Sequence, residues 1–422
     1  MDTKQSFYHL GIAPRLLEIL DKLQFVTPTP IQQKSIPVAL EGKDVIGIAQ
    51  TGTGKTLAFG IPMIQRLAQV KGKGLVILPT RELALQVDES YQKIGRSIGL
   101  RTAVLIGGAS ISNQVHMIRR RPHVVIGTPG RIIDHLHQKS LDLRDVSVLV
   151  LDEADRMLDM GFAPQINEIL RSIPKERQTM LFSATMPDDI VRIASRQMKL
   201  PVRVEIAPTG ATADNVEQEL YVVSKDQKDR LLDKILSEYH GSVLVFTRTK
   251  YGAKRVCRRV RTMGHSSAEL HSERSLAQRK EALEGFKRGV YRVLVATDIA
   301  ARGIDVTGIE LVINYDIPEH PEDYVHRIGR TGRAGMTGTA ISFATREQGS
   351  VVRDIEKFVR VALPVSRLPE LPPERLQGAF EPSRQPFRRG SRRPSVVGRG
   401  SLRPHRRRPF QQRHHSIFGG QV

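Results

Sequence analysis

A glycine-rich run, Ala49-Gln50-Thr51-Gly52-Thr53-Gly54-Lys55-Thr56, ends a short apolar stretch that begins at Val45. It opens a helical pattern of Leu57, Ile61, Ile64 and Leu67. This arrangement suits nucleotide phosphates. Gly52 and Gly54 let backbone N–H groups turn toward phosphate oxygens, Lys55 brings a mobile cation to the β and γ phosphates, and Thr56 places a hydroxyl on magnesium. Gln50, Thr51 and Thr53 complete the loop, and Ala49 stands where such loops usually begin with Gly. Further on, Val148–Leu151 delivers Asp152-Glu153-Ala154-Asp155. Alone, that tetrapeptide reads as a solvated helix start. Directly after a buried strand, in a chain with a phosphate loop, Asp152 suits magnesium and Glu153 suits the orientation of water. ATP or GTP hydrolysis is the chemistry these two motifs imply together.

Short apolar runs, each followed by a helical pattern, must carry these groups, which predicts an α/β fold with mostly parallel sheets. In the first half the runs are 45–49, 75–78, 103–106, 124–126, 148–151 and 179–182; in the second they are 220–223, 243–246, 293–296, 311–314 and 339–343. The small and turn-forming residues Ala207 to Ala213 read as a linker. The expected division is a first domain over 1–206, a linker over 207–217, a second and smaller domain over 218–365, and a tail over 366–422.

The 422 residues carry a formal charge of +21, from 65 Lys and Arg against 44 Asp and Glu. Residues 382–422 contribute eleven Arg, no Lys and no acid, so that segment holds +11 and residues 1–381 hold +10. With five each of Pro, Gly and Ser, that tail lacks the apolar content to fold alone and is expected to be disordered. A polyanionic partner follows from the charge. The single cysteine, Cys257, excludes an internal disulfide and a cysteine-built zinc cluster. Residues 1–6 show no signal-peptide run, and no stretch suits a membrane span, so a cytoplasmic protein without membrane attachment is expected.

Residues 7 to about 350 resemble a DEAD-box ATP-dependent RNA helicase core of superfamily 2. The resemblance rests on PTPIQ at 28–32, AQTGTGKT at 49–56, PTREL at 79–83, TPGR at 128–131, DEAD at 152–155 and SAT at 183–185. It continues through VLVFTRT at 243–249, ATDIAARGID at 296–305 and HRIGRTGR at 326–333, all in family order. The family implies two RecA-like domains, with ATP in the cleft and RNA across both. Within it, the compact core and basic tail look most like bacterial RhlE-type proteins.

By this resemblance Gln32 reads the adenine edge, Phe25 packs on the ring, and Phe7 adds a second aromatic contact. The residue before Phe25, usually Gly in the family, is Gln24. Gly303 and Asp305 join the nucleotide site, with Asp305 on the ribose. Arg330 and Arg333 are the arginine fingers, delivered to the γ phosphate when the domains close. Asp155, Ser183, Thr185 and His326 couple hydrolysis to RNA. Contacts to RNA fall to Arg81, Gly107, Gly108, Thr128, Gly130 and Arg131 in the first domain. In the second they fall to Thr247, Arg248, Gln278, Arg279 and Thr297. Such contacts track sugar and phosphate, so little sequence preference is expected for single-stranded or short duplex RNA.

The function implied is ATP-driven local separation of short RNA duplexes and remodelling of RNA or RNA–protein complexes. Ribosomal and RNA-decay complexes are the candidate partners, and a monomer is expected. An ATP-gated RNA clamp with little unwinding shares every site residue, and a DNA helicase or remodeller is the third reading. The Arg-rich tail suits a sequence-independent RNA tether, with a solubility or targeting segment as the alternative.

Overall fold

The computed structural model describes residues 6–50, 52–206, 216–301, 308–332 and 337–372. Two all-parallel sheets carry the chain. The first contains β1 (Val45–Ile48), β2 (Lys73–Ile77), β3 (Thr102–Leu105), β4 (Val124–Gly127), β5 (Val146–Leu151), β6 (Gln178–Ser183) and β7 (Val202–Glu205), in the order β3-β4-β2-β5-β6-β1-β7. The second contains β8 (Val216–Val222), β9 (Val243–Thr247), β10 (Ser267–Leu270), β11 (Val293–Thr297), β12 (Leu311–Asn314) and β13 (Gly338–Ala344), in the order β10-β11-β9-β12-β13-β8. Central strands such as β1, β9 and β12 are buried throughout, as their unbroken Val, Ile and Leu require when helices cover both faces. Each sheet therefore has two hydrophobic clusters, one per face. Among the described residues no helix is long and apolar enough to cross a membrane.

The α/β class and two-sheet division match the expectation from sequence. Two strands lie outside the expected set. β7 alternates, with only Val204 buried, because it forms an edge. β10 reads Ser-Ala-Glu-Leu, and its polar side chains are buried because the Ser267 hydroxyl donates to the Cys257 carbonyl at 3.2 Å and Arg274 pairs with Glu269. β8 begins at Val216, two residues inside the expected linker; residues 207–215 lie outside the described set.

Residues 366–372, read as tail from composition, are held on the second domain. The Leu220 N–H donates to the Pro364 carbonyl and the Ser366 N–H to the Leu220 carbonyl, both at 2.9 Å, which bridges Val365 to β8. Arg230 donates to the carbonyls of Leu371 and Pro372, while Leu368 and Leu371 pack on the core. Of the tail proper, 373–422 lies outside the described residues.

Strand order sorts the motifs. Neighbours β5, β6 and β1 end in Asp152–Asp155, Ser183–Thr185 and the phosphate loop, with Leu151 opposite Leu181 and Ile48 opposite Ser183. Neighbours β3, β4 and β2 end at Gly107-Gly108, Thr128–Arg131 and Arg81. Both sets sit at the carboxyl edge, where open parallel sheets gather ligands.

Candidate active site and RNA interface

The phosphate loop is shaped by two left-handed glycines, Gly52 at φ 87° and Gly54 at φ 86°, and Gly54 caps the helix Lys55–Gln69. Lys55 is buried, and its Nζ donates to the Ala49 carbonyl at 2.9 Å, reaching back across the loop. Thr53 Oγ1 donates to the Gln50 carbonyl at 2.7 Å. Gln32 is tied into the same loop: its Nε2 donates to the Gly54 carbonyl at 3.0 Å and its Oε1 accepts the Thr29 N–H at 2.9 Å. One amide hydrogen and one lone pair remain, a donor and an acceptor suited to an adenine edge. Phe25 keeps an exposed ring. Phe7, in contrast, is 3% exposed and packed into the core. Gln24 adopts φ 59°, which explains why glycine suits this position.

Beside the loop, Asp152 and Glu153 are almost wholly buried. Burial pushes the Asp152 carboxyl up to about 7; the Lys55 charge opposes this and the Glu153 and Asp155 charges add to it. One Asp152 oxygen accepts the Glu153 N–H at 3.0 Å. A desolvated carboxylate with the Thr56 hydroxyl on the neighbouring loop is the hard oxygen set that magnesium takes, so these residues fit the ion. Glu153 is a left-handed non-glycine, φ 52°, a strained conformation of the kind that clusters at functional sites. Its carboxylate accepts Arg156 Nη1 at 3.0 Å, and Arg156 is 1% exposed.

Asp155 links this site to its neighbour strand. Its Oδ2 accepts the Ala184 N–H at 3.0 Å, the Thr185 N–H at 2.9 Å and the Thr185 hydroxyl at 3.0 Å, while its own N–H donates to Ser183 Oγ at 3.2 Å. Burial works against its charge, yet Lys55, Arg156 and His326 together hold its pKa below the usual value. His326 of the second domain is thus one of the charges that favour the ionised Asp155.

His326 and Arg330 stand at the end of the helix Pro321–Ile328. The Arg330 Nε donates to the His326 carbonyl at 3.2 Å. Between them Arg327 is the anchor: Nε and Nη2 clasp the Asp298 carboxylate at 2.5 and 2.7 Å, and Nη1 donates to the Asp316 carbonyl at 2.6 Å. Its guanidinium lies 5.1 Å from the Phe246 ring centroid. Thr51, Gly303, Asp305 and Arg333 lie outside the described residues.

The residues expected at RNA form two groups. In the first domain Arg81 lies against Gly107 and Gly108; a Cβ at Gly108 would meet Arg81 Nη1 at 2.4 Å, and Gly108 itself has φ 76°. Burial, then the Arg279 charge and more weakly Arg131, lowers the Arg81 pKa, so three guanidinium groups converge. Arg131 Nη1 donates to the Ala109 carbonyl at 3.1 Å, Thr128 is buried at its helix start, and nothing crowds Gly130. In the second domain Arg248 pairs with Glu319 at 3.0 Å, Gln278 caps its own helix through Ser275, and Thr297 is half-buried. Two placements differ from the expected open contacts. Thr247 is fully buried at the end of β9, with its hydroxyl on the Thr249 carbonyl at 3.3 Å. Arg279 is paired with Glu82 of the first domain at 3.0 Å, both largely buried, and Leu276 of the same helix packs on the first-domain core.

Comparison with known proteins bears on this arrangement. Residues 29–193 match the DEAD/DEAH box helicase family model, and residues 227–335 match the helicase conserved C-terminal domain model. The ATP-dependent rRNA helicase RRP3 of Debaryomyces hansenii is 45% identical over 361 residues, covering 85% of this chain and 74% of that protein. The chain belongs to the DEAD-box RNA helicase family. The DEAD-box ATP-dependent RNA helicase CshA of Geobacillus kaustophilus is 44% identical over 377 residues, covering 88% of this chain and 80% of that one. Among solved structures, S. cerevisiae Dbp5 bound to RNA and ADP BeF3 superposes with a TM-score of 0.77 at 30% identity, covering 86% of this chain and 95% of that chain. The protein is therefore an ATP-dependent RNA helicase, an RNA-dependent ATPase built on two RecA-like domains.

Three side chains of this helicase that the motifs did not single out carry its geometry. Arg156 pins Glu153, and its signal was a cation three residues beyond an acid. Arg327 fixes the helix that bears His326 and Arg330. Gln114 is buried; it donates to the Ile106 carbonyl at 3.0 Å and lies 3.2 Å from His135 Nε2, which holds the strand leading to Gly107. No sequence pattern marks Gln114.

Gly54 offers a test of the loop. A Cβ there would stand 2.4 Å from Gln32 Nε2, on a backbone that L side chains rarely adopt. Gly54→Ala should cost about 1–3 kcal/mol of stability and at least about tenfold in ATP affinity. Thermal unfolding with and without ATP separates the two, and an unchanged ligand-induced shift would refute the steric account.

Proposed function

We propose that this helicase separates short RNA duplexes locally and remodels RNA or RNA–protein complexes, with ATP hydrolysis coupled to closure of the two domains on RNA. The observation that carries this reading is the Asp155 clasp. One carboxylate ties the hydrolytic motif to Ser183–Thr185 and feels His326 from the second domain, so the state of one domain reaches the other. The Arg279–Glu82 pair supports it from the RNA side.

In this scheme Lys55 binds the β and γ phosphates, Glu153 orients the attacking water and takes its proton, and Arg330 with Arg333 stabilises charge on the transferring phosphoryl group. Thr56 and Asp152 would hold magnesium, which neutralises charge on the phosphates. Gln32 and Phe25 select adenine; Gly303 and Asp305 complete the nucleotide site. Closure bends one bound strand, which an A-form duplex cannot accept, and hydrolysis reopens the clamp. Unwinding therefore fades steeply as the duplex lengthens.

The reading extends to a first domain over 1–206, a linker near 207–217, a second domain from 218 and an Arg-rich RNA tether. Packing of 366–372 on the second domain favours a tether that begins after Pro372. A cytoplasmic monomer acting on ribosomal RNA complexes is the setting proposed, supported by relatives named as rRNA helicases. The finer resemblance to RhlE-type proteins rests on the compact core and the Arg-rich segment.

The test is ATP turnover alone and with single-stranded RNA, duplex RNA or matching DNA, alongside strand separation against duplex length. RNA-specific stimulation with loss of unwinding on long duplexes is expected. RNA binding and stimulated hydrolysis without any strand separation would replace the unwinding reading by an ATP-gated clamp.

A further inference from the structure

The second domain carries a pocket whose cationic wall plays no part in the ATP site. The helix Lys250–Thr262 contributes Lys254, Arg258 and Arg261, and Arg274 faces them; Glu269 and Glu273 are the only acids of the lining, which is therefore net positive. His271 lines the same pocket. It is fully buried, neither ring nitrogen has a hydrogen-bond partner, and Nε2 stands 3.7 Å from Glu269 Oε1. A buried ring nitrogen left unpaired is destabilising, and a ligand acceptor would relieve that.

The surrounding charges are held in place. Glu273 pairs with Lys250 at 2.7 Å and with Lys254 at 2.6 Å, and Arg261 is fixed on the Ser267 carbonyl. Arg258 is exposed and has no partner among the described residues, so it is the open charge of the set. Residues 250, 254, 258 and 261 fall on one helix face, a cationic stripe of about 16 Å. At its start Tyr251 is 67% exposed, a flat ring beside the Lys250 ammonium. Among the described residues no cluster of His, Cys, Asp and Glu suits a metal ion, and the sign of the lining favours an oxyanion. Gln278, one of the residues assigned to RNA, forms part of the wall and joins the pocket to that track.

We propose that this pocket takes a phosphate of an RNA strand that runs on past the core track. Arg258 supplies the open charge, His271 a buried donor, and Tyr251 a stacking face for a flanking base. The inference rests on the RNA-remodelling reading above.

The test uses the full chain with Arg258→Glu and Tyr251→Ala, and oligouridylates from about 6 to about 20 nucleotides. Affinity for the long strands should fall about fivefold to tenfold in Arg258→Glu, and Arg258→Ala should flatten the salt slope by about one, while ATP turnover stimulated by the shortest strand stays unchanged. In the unaltered protein the His271 imidazole NMR signals should move with long RNA. Equal losses on short and long strands, or no loss on either, would overturn the proposal. So would His271 shifts produced equally by inorganic phosphate, which would make this a free-anion site. Failure of every RNA to stimulate the unaltered helicase would sink the remodelling reading instead, with the affinity series still judging the pocket.

Discussion

Glu153→Gln should leave ATP bound and reduce its RNA-stimulated turnover by about 10²–10⁴-fold. An amide keeps the shape of the carboxylate and its acceptor for Arg156 Nη1, now 3.0 Å from Glu153 Oε2, but it cannot take a proton from water. Removing the charge also leaves the buried Arg156 guanidinium without its anion, so some loss of stability accompanies the change. Thermal unfolding measures that part separately from turnover. In the proposed scheme hydrolysis reopens the clamp, so the variant should also hold RNA longer in the presence of ATP, which a release assay reads directly. A residual rate within tenfold of the unaltered protein would move the base role to another group.

Arg330→Ala should lower turnover by about 10³-fold, with RNA affinity retained. Arg330→Lys should rescue little, since a point charge cannot reproduce the planar fork that a phosphoryl group meets. Arg330 sits just past the helix that Arg327 clamps to Asp298, so its position is rigid within the second domain and its delivery depends on domain placement. The diagnostic quantity is the split between ATP affinity and turnover. If affinity fell by the same factor as turnover, Arg330 would be a ground-state phosphate ligand, and hydrolysis would not depend on a delivered finger.

Much of this was legible in the sequence because the decisive signals are local. Unbroken runs such as Val243–Phe246 and Leu311–Asn314 can only be strands covered on both sides, and the phosphate loop announces itself by glycines next to Lys55. β10 was not legible, since Ser267 and Glu269 look like surface residues until the Cys257 carbonyl and Arg274 are seen to satisfy them. Phe7 and Thr247 lie buried for a related reason: a residue type that can face a ligand is equally suited to a core. Arg279 fits RNA by type, and only the other domain reveals Glu82 as its partner. Of the side chains that act by holding others, Gln114 has no pattern of its own, and Arg327 lies inside the HRIGRTGR run without its anchoring role being marked there.

The terminal stretch that bridges Val365 to β8 bears on solubility. β8 closes one margin of the second sheet, and an uncovered margin of parallel strands is a template for any chain that arrives with free backbone groups. Here the Leu220 N–H and C=O, in mid-strand, are both taken by Pro364 and Ser366 of the same molecule. An incoming strand finds its register already occupied. Thirteen arginines follow Ser366, and a tether of that charge would concentrate the protein on RNA, where crowding starts margin-to-margin growth. The same segment that leads toward the arginines thus removes the surface on which crowded copies would stack.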